Sequence, residues 1–354
     1  MALGLGAAGG ALLAWAGAPL AWMLGAMLAV TGASFAGLEP AISTTLRTVM
    51  VTVLGVMLGA AFTPELLSSL GRWTGSLALL AAVIALMSAA AYVFFLRVGR
   101  YDPVTSYFAS TPGGLTEMTL VGESQGGDVR RISLTHATRI LIAVSLIPFY
   151  FRIIQGLDVP VMPAQAGRLL DLGWTDAGLL TACAALGLPL ARLIKAPAAP
   201  LTGPMLLSAI VHGAGWSKAA PPVELIAAAQ VVVGAAIGAR FSGLTWASAG
   251  RTILLAAAAG VLMIGVAVLV SAFAAPWLGL RHEALFLSLA PGGLAEMAVI
   301  ALSLGIDTAF VSAMHVIRIV LIVTLAPLAW RLTDRKAAGA DAQRNESSGS
   351  RTAP

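Results

Sequence analysis

Long apolar runs separated by short polar breaks make up most of this sequence. Runs of about 18 residues or more recur along the chain, and each is long enough to cross a hydrocarbon core of roughly 30 Å as a helix. The predicted segments are 3–16, 19–35, 44–62, 73–96, 103–121 and 132–151, then 177–194, 200–211, 223–240, 252–273, 283–302 and 309–330. The pattern therefore predicts an all-α polytopic membrane protein.

One nine-residue stretch occurs twice in the chain. Residues 110–118 read STPGGLTEM, and residues 289–297 read LAPGGLAEM, at a separation of 291 − 112 = 179 residues. The same separation joins Gly55 to Gly234, Gly59 to Gly238, Phe62 to Phe241, Arg72 to Arg251, Gly126 to Gly305, Asp128 to Asp307, His136 to His315, Arg139 to Arg318 and Pro148 to Pro327. We therefore predict two tandem homologous repeats.

Polar stretches mark the boundaries of these repeats. Asp158, Arg168, Asp171 and Asp176 make the middle of the chain polar, and beyond Thr333 the sequence is too polar to pack. The predicted units are membrane repeat 1 at 1–154, a polar linker at 155–176, membrane repeat 2 at 177–332 and a disordered tail at 333–354.

The fifth segment of each half is interrupted near its centre. The interruptions are Pro112-Gly113-Gly114 and Pro291-Gly292-Gly293. Proline lacks an N–H and clashes with the preceding turn, and two glycines loosen the backbone, so a continuous helix is not expected at either place. Each broken segment either spans the membrane or enters and leaves on one side, and the break alone leaves both arrangements open.

The distribution of basic residues bears on this choice. If all twelve segments span, ten lysines and arginines lie inside and seven outside; if the broken segments are re-entrant, twelve lie inside and five outside. The positive-inside rule favours the second arrangement. Five crossings per half is an odd number, so we predict that the repeats are inverted relative to each other, as in many secondary transporters.

Composition agrees with a membrane protein and excludes several other classes. Hydrophobic residues make up 58% of the 354 residues and charged residues only 10%, against about 25% charged in soluble proteins. The net charge of +5 comes from basic residues at the ends of apolar runs. No basic stripe suits a nucleic acid, and a single cysteine, Cys183, allows neither a disulfide framework nor a cysteine-based metal site.

Two glutamates follow the breaks directly. Leu115 and Leu294 are predicted to begin short half-helices whose free N–H groups can face an anion. Glu117 and Glu296 fall in the first turns of these half-helices. Each can be a capping carboxylate or a proton or cation ligand, and we favour the second role because an ionisable group inside a membrane is costly.

Each half also carries a histidine and an arginine three residues apart in an apolar helix. The pairs are His136 with Arg139 and His315 with Arg318, and this spacing puts each pair on one helix face. The arginines need partners, and two hypotheses stay open. They form structural ion pairs with the two glutamates or with Asp128 and Asp307, or they contact a substrate directly.

Smaller features have simpler interpretations. A role in proton transfer or substrate contact is favoured for the histidines because both copies are present. Asp128 and Asp307 precede helices and are predicted to be N-caps. The Gly55, Gly59 pair and its counterpart Gly234, Gly238 have the spacing that lets helices approach closely.

The doubled P-G-G-L-x-E-M motif, followed by Asp and then by H-x-x-R, resembles the AbrB duplication family of membrane proteins. The resemblance covers about residues 10–330. It implies an integral membrane protein, and family members carry the labels ammonia monooxygenase or AbrB-type regulator. It also implies similarity to the cation/proton antiporters and anion transporters, whose folds use inverted repeats and broken helices.

Neither label agrees well with the residues. A monooxygenase needs a copper or iron site, but the four histidines form no His-x-His or His-x-x-x-His cluster. We therefore expect no enzyme activity, no metal and no cofactor. No DNA-reading domain is recognisable after Thr333, so regulation of gene expression would be indirect.

The sequence favours a secondary transporter of a small polar or anionic metabolite, coupled to protons or sodium. The predicted substrate- or ion-binding residues are Pro112, Gly113, Gly114, Glu117, His136 and Arg139, with Pro291, Gly292, Gly293, Glu296, His315 and Arg318. The alternative is a membrane regulator or sensor that binds a metabolite without moving it. We expect a bacterial inner membrane location, a cytoplasmic C-terminus, and membrane lipid and a small solute as partners; a homodimer is a further alternative.

Overall fold

The structure, a computed structural model, describes residues 1–62, 73–157, 167–219 and 222–349, with side chains as far as residue 330. Within these residues the chain forms α-helices and no β-strand. The helices of the first half are α1 Ala2–Trp15, α2 Ala21–Phe35, α3 Thr44–Gly59, α4 Thr74–Phe94, α5 Pro103–Ser110, α6 Leu115–Ser124 and α7 Val129–Phe149. Those of the second half are α8 Trp174–Leu193, α9 Ala199–Gly213, α10 Val223–Gly238, α11 Trp246–Leu278, α12 His282–Leu289, α13 Leu294–Ser303 and α14 Thr308–Gly349.

Six of these helices are long and apolar enough to cross a membrane. They are Thr74–Gly99, Val129–Ile154, Trp174–Leu193, Val223–Phe241, Trp246–Leu278 and Thr308–Trp330, some of them extended by short π or 3₁₀ turns. Large apolar side chains such as Leu193, Phe273 and Trp277 are exposed on the outside of the bundle. A water-soluble protein would bury such side chains, whereas lipid accommodates them. The chain is an all-α polytopic membrane protein, as predicted.

The order of the helices is the same in the two halves. The helices α3 and α10 begin at Thr44 and Val223, which are 223 − 44 = 179 residues apart. The same interval relates the first residues of α5 and α12, of α6 and α13, and of α7 and α14. The homology of the two halves remains a prediction from the sequence.

The first two helices of each half correspond at a different interval. Gly9 of α1 lies against Gly25 of α2, and Gly187 of α8 lies against Gly203 of α9. Both members of the second pair follow their counterparts by 187 − 9 = 178 residues. The turn between α9 and α10 is one residue longer than the turn between α2 and α3, which accounts for the difference. The sequence comparison missed this correspondence because these helices contain few distinctive residues.

Helices of the two halves pack closely on each other. A Cβ atom on Gly55 of α3 would strike the carbonyl oxygen of Leu201 in α9. A Cβ atom on Gly234 of α10 would likewise strike the carbonyl oxygen of Met23 in α2. The predicted role of these glycines in close helix approach is therefore confirmed, and the contacts interlock the halves.

The helices α5 and α6 form a helical hairpin, which we call hairpin 1. The backbone N–H of Asp128, just after α6, donates to Thr105 Oγ1 in the first turn of α5 over 2.8 Å. The two ends of hairpin 1 are therefore adjacent, and Pro112-Gly113-Gly114 forms its tip. The helices α12 and α13 form the corresponding hairpin 2, with Pro291-Gly292-Gly293 at its tip.

The bases of the two hairpins lie at opposite ends of α11. Arg130, next to the base of hairpin 1, donates to Ser248 near the first residue of α11 over 3.0 Å. The base of hairpin 2 begins at His282, directly after the last residue of α11. Since α11 has 33 residues, it is about 50 Å long. We call these two ends of the bundle the Trp246 end and the Leu278 end.

The C-terminal segment differs from its predicted state. The sequence predicts disorder at 333–354, but α14 continues to Gly349. Residues 335–343 contain alanine, arginine, lysine and glutamine, which have high helix propensity, and no proline interrupts them. A polar composition prevents burial but does not prevent helix formation. Residues 350–354 and most of the linker, 158–166, lie outside the described residues.

Candidate functional site

Buried arginines hold the tips of both hairpins. Arg139 of α7 donates to the carbonyl oxygens of Thr111 and Gly113, at 3.3 and 3.1 Å. Arg318 of α14 makes the same two bonds, to Ala290 and Gly292. The breaks leave these carbonyls without helical partners, and lipid cannot satisfy them. The guanidinium groups, each only 3% exposed, do so instead.

The histidines brace the first helix of each hairpin. His136 Nε2 lies 3.0 Å from the carbonyl oxygen of Phe108, and His315 Nε2 lies 2.8 Å from that of Leu287. A carbonyl oxygen only accepts, so Nε2 carries the hydrogen in both rings. Both histidines are fully buried and lie outside the lining of the central cavity described below.

The predicted ion pairs of the buried arginines are absent from the described side chains. The ion pairs there join Arg131 to Asp128 at 3.2 Å and Arg281 to Glu283 at 3.4 Å. The hypothesis that Arg139 and Arg318 pair with carboxylates is therefore wrong for the described residues. The freed carbonyls of the hairpin tips lie nearer and take up the same donors.

The two aspartates are N-caps, as predicted. Asp128 Oδ1 accepts from the backbone N–H of Arg131 at 3.0 Å, in the first turn of α7. Asp307 Oδ1 accepts from the backbone N–H of Phe310 at 2.9 Å, in the first turn of α14. These carboxylates secure the turn that joins each hairpin to the following helix.

Both hairpin tips line one central cavity of about 330 Å³. Its lining includes Gly113, Gly114, Glu117 and Arg139 from the first half and Gly292, Gly293, Glu296 and Arg318 from the second. Eight of the twelve predicted site residues are thus brought together, and Pro112, Pro291, His136 and His315 stand behind them. The two prolines are buried within the tips.

The glutamates fold back over the starts of their helices. The carboxylate of Glu117 lies where a Cβ atom on Gly114 would be, and that of Glu296 lies against Gly293 in the same way. Since both glycines are helix N-caps without a side-chain cap, each carboxylate meets a positive dipole end. The copies differ in burial, because Glu296 is 9% exposed and Glu117 is half-buried.

Two further arginines, which the sequence analysis treated as loop charges, also line the cavity. They are Arg47 near the start of α3 and Arg240 after the end of α10. They are not related by the repeat interval, so the duplicated motifs gave no sign of them. A signal was present for Arg47, because it falls inside a predicted apolar segment. Four arginines and two glutamates then give the cavity lining a formal excess of two positive charges.

The cavity widens toward the Trp246 end of the bundle. Arg240 lies within the turn that leads to Trp246, and Arg47 is close enough to Arg240 for the two charges to interact. Both arginines are exposed, whereas Arg139 and Arg318 are buried. The exposed pair therefore stands at the mouth and the buried pair at the floor.

Within the described residues, no three side chains of histidine, cysteine, aspartate or glutamate are grouped so as to hold a metal ion. The cavity lining is suited to a small charged solute rather than to a bound metal, because its cationic groups outnumber its carboxylates.

The fold and this site define a class: polytopic helical membrane proteins in which two broken hairpins meet at a charged central cavity. The chain belongs to the AbrB family, since the family model described as "Transition state regulatory protein AbrB" matches residues 22–334. This confirms the family suggested by the doubled motif.

Two relatives align along most of the chain. The protein named "Uncharacterized protein YhjN" of Bacillus subtilis (strain 168) is 29% identical over 363 aligned positions, covering 93% of this chain and 91% of the relative. The "Putative regulator AbrB" of Escherichia coli (strain K12) is 24% identical over 327 positions, covering 87% of this chain and 88% of the relative. Neither name indicates an enzyme.

Proposed function

We propose that this protein is a secondary transporter of a small anionic metabolite, coupled to protons or sodium, and that it is not an enzyme. The observation that carries the proposal is the central cavity, which both hairpin tips line and in which basic side chains outnumber acidic ones. Its volume of about 330 Å³ lies at the lower end of ligand pockets, roughly 300–1,000 Å³. The solute would therefore be small.

The cavity floor supports an anionic solute. The guanidinium groups of Arg139 and Arg318 are close enough to repel each other. Within the described part of the chain, the Nε atom of each has no hydrogen-bond partner. An anion between them would relieve the repulsion, and the N-terminal ends of α6 and α13 would add their dipoles.

The two glutamates are the proposed sites of the coupling ion. A carboxylate at membrane depth changes its interactions strongly when it gains a proton or a sodium ion. Glu296 is more buried than Glu117, and Arg47 lies close enough to Glu296 to interact with it. Neutralising either carboxylate would increase the positive excess of the cavity, which links ion uptake to anion binding.

The proposal includes two inverted repeats that expose the site alternately. The hairpins start from opposite ends of the bundle, as such an inversion requires. Arg47 and Ile237 line the mouth, and their counterparts at the interval of 179, Ile226 and Leu58, are buried. We propose that an exchange of these two arrangements closes the Trp246 end and opens the Leu278 end.

The Trp246 end is the proposed cytoplasmic side of a bacterial plasma membrane. Basic residues gather there, among them Arg130, Arg131 and Arg251, as the positive-inside rule requires. The helix α14 runs from hairpin 2 toward the same end, which would make the C-terminus cytoplasmic. The cavity would then be open to the cytoplasm.

Flux measurements in proteoliposomes test the proposal. The purified protein is reconstituted, a proton or sodium gradient is imposed, and uptake of small carboxylates and other anions is followed. Glu117→Gln and Glu296→Gln are expected to abolish gradient-driven flux. Glu283→Gln, at the base of hairpin 2 and outside the cavity lining, is the matched control and should retain it. Full flux in both cavity variants would remove these carboxylates from the mechanism.

A regulator or sensor is the second candidate, because the family model and one relative carry a regulator's name. Such a protein would bind the solute in the same cavity but would not release it on the other side. Thermal stabilisation by a solute, together with no flux of that solute in the same vesicles, would favour this alternative.

A further inference from the structure

A second charged pocket lies at the Trp246 end of the bundle, apart from the central cavity. It has a volume of about 290 Å³ and shares no lining residue with the central cavity. Three arginines and one carboxylate line it, namely Arg130, Arg131, Arg251 and Asp128. We call it the basic pocket.

Each arginine of the basic pocket is held by a neighbour. Arg130 Nη2 donates to Ser248 Oγ at 3.0 Å, and Arg251 Nη2 donates to the carbonyl oxygen of Gly99 at 2.9 Å. Arg131 pairs with Asp128 at 3.2 Å, and its guanidinium carbon lies 4.9 Å from the centre of the Tyr101 ring. Three guanidinium groups are thus fixed around one space, with only one of them neutralised by a carboxylate. A bound anion would lose little side-chain entropy to these groups.

The pocket joins two parts of the fold that have no chain connection nearby. Arg130 and Arg131 belong to the first turn of α7, next to the base of hairpin 1, whereas Arg251 and Ser248 belong to α11. The helices α7 and α11 both begin here, so their positive dipole ends face the same region. A ligand with several acceptor oxygens could bridge the hairpin base to α11.

We propose that the basic pocket binds a phosphate group. Planar guanidinium forks match phosphate oxygens in charge and geometry, and three of them suit a group with three or more acceptor oxygens. The phosphate could belong to the headgroup of an anionic phospholipid or to a free phosphate compound. Basic pockets between membrane helices at the cytoplasmic surface are suited to the first of these sources.

Binding to the full-length purified protein tests the proposal. In one arm, the protein is placed in nanodiscs of phosphatidylcholine with or without phosphatidylglycerol, and its thermal midpoint is measured. In the other arm, inorganic phosphate is titrated in detergent. Stabilisation by phosphatidylglycerol alone identifies a lipid headgroup, and stabilisation by inorganic phosphate identifies a free phosphate. No stabilisation in either arm overturns the proposal.

Charge-matched variants separate the pocket from general surface charge. Arg130→Gln and Arg251→Gln should each weaken the stabilising ligand roughly tenfold, through loss of one charge-assisted hydrogen bond. Arg192→Gln removes an equal charge from the exposed end of α8 and should leave binding unchanged. Equal loss in all three variants would contradict a specific pocket.

A cysteine at the pocket keeps the test decisive if those variants fold poorly. Thr252→Cys, in a Cys183→Ala background, adds a thiol to the pocket lining and retains all three arginines. The ligand that stabilises the protein should slow maleimide labelling of this thiol at least severalfold. Labelling at the same rate with and without that ligand would contradict the proposal. Neither readout requires transport, so the result is independent of the proposed function.

Discussion

Replacing Arg318 with methionine tests how the tip of hairpin 2 is held. The buried guanidinium donates to the carbonyl oxygens of Ala290 and Gly292, on either side of Pro291. Hydrogen bonds from a charged donor contribute roughly 1.5–3 kcal/mol each, so the two together contribute about 3–6 kcal/mol. Methionine also removes the cost of burying a charge. We therefore expect the free energy of unfolding to fall by about 3 kcal/mol, the lower end of this range.

Reversible unfolding in mixed micelles, with denaturant titrated, measures this change. Arg139→Met breaks the corresponding bonds of hairpin 1 and should cost a similar amount. Arg192→Met, at the exposed end of α8, should stay within about 0.5 kcal/mol of the wild type. If Arg318→Met were as stable as Arg192→Met, the guanidinium would not be what holds the hairpin tip.

A lysine variant separates charge from geometry. Arg318→Lys retains the positive charge but replaces the planar fork by a single ammonium group, which cannot span both carbonyls equally well. Its stability should fall between those of the wild type and Arg318→Met. A lysine variant as unstable as the methionine variant would show that the fork matters more than the charge.

Three further substitutions test other parts of the site and fold. Gly293→Ala adds a Cβ atom where the carboxylate of Glu296 lies, so proteoliposome flux should fall at least about tenfold, the change expected for 1.4 kcal/mol. Gly55→Ala forces α3 away from a carbonyl oxygen of α9 and should lower the free energy of unfolding by about 1–3 kcal/mol, whereas Gly4→Ala meets open space and should change it little. Asp307→Ala removes the N-cap of α14, and micelle unfolding should show a loss of about 1 kcal/mol.

Local features of the hairpins could be predicted from the sequence. The half-helices begin at Leu115 and Leu294, as the Pro-Gly-Gly breaks predicted. Asp128 caps the next helix because an aspartate before an apolar run satisfies free N–H groups whatever the tertiary structure. Such features depend on a few neighbouring residues, and the sequence contains them directly.

The partners of the buried charges could not be predicted in this way. Carboxylates were expected for Arg139, yet it bonds to backbone carbonyls, which every residue carries and no side-chain pattern distinguishes. Arg47 and Arg240 reach the cavity only because the helices of the two halves pack on each other. That packing depends on contacts far apart in the sequence, which the duplicated motif does not encode.

The central claim is that the two hairpin tips share one water-filled cavity that opens to a single side. Thr116 and Ala295 are at equivalent positions beside the two tips, and both line the cavity. Each is replaced by cysteine in a Cys183→Ala background, and an impermeant maleimide is applied to right-side-out and inside-out vesicles. We predict that both thiols are labelled from the cytoplasmic side and that one transported solute protects both. Labelling of the two from opposite sides, or protection of only one, would contradict the account.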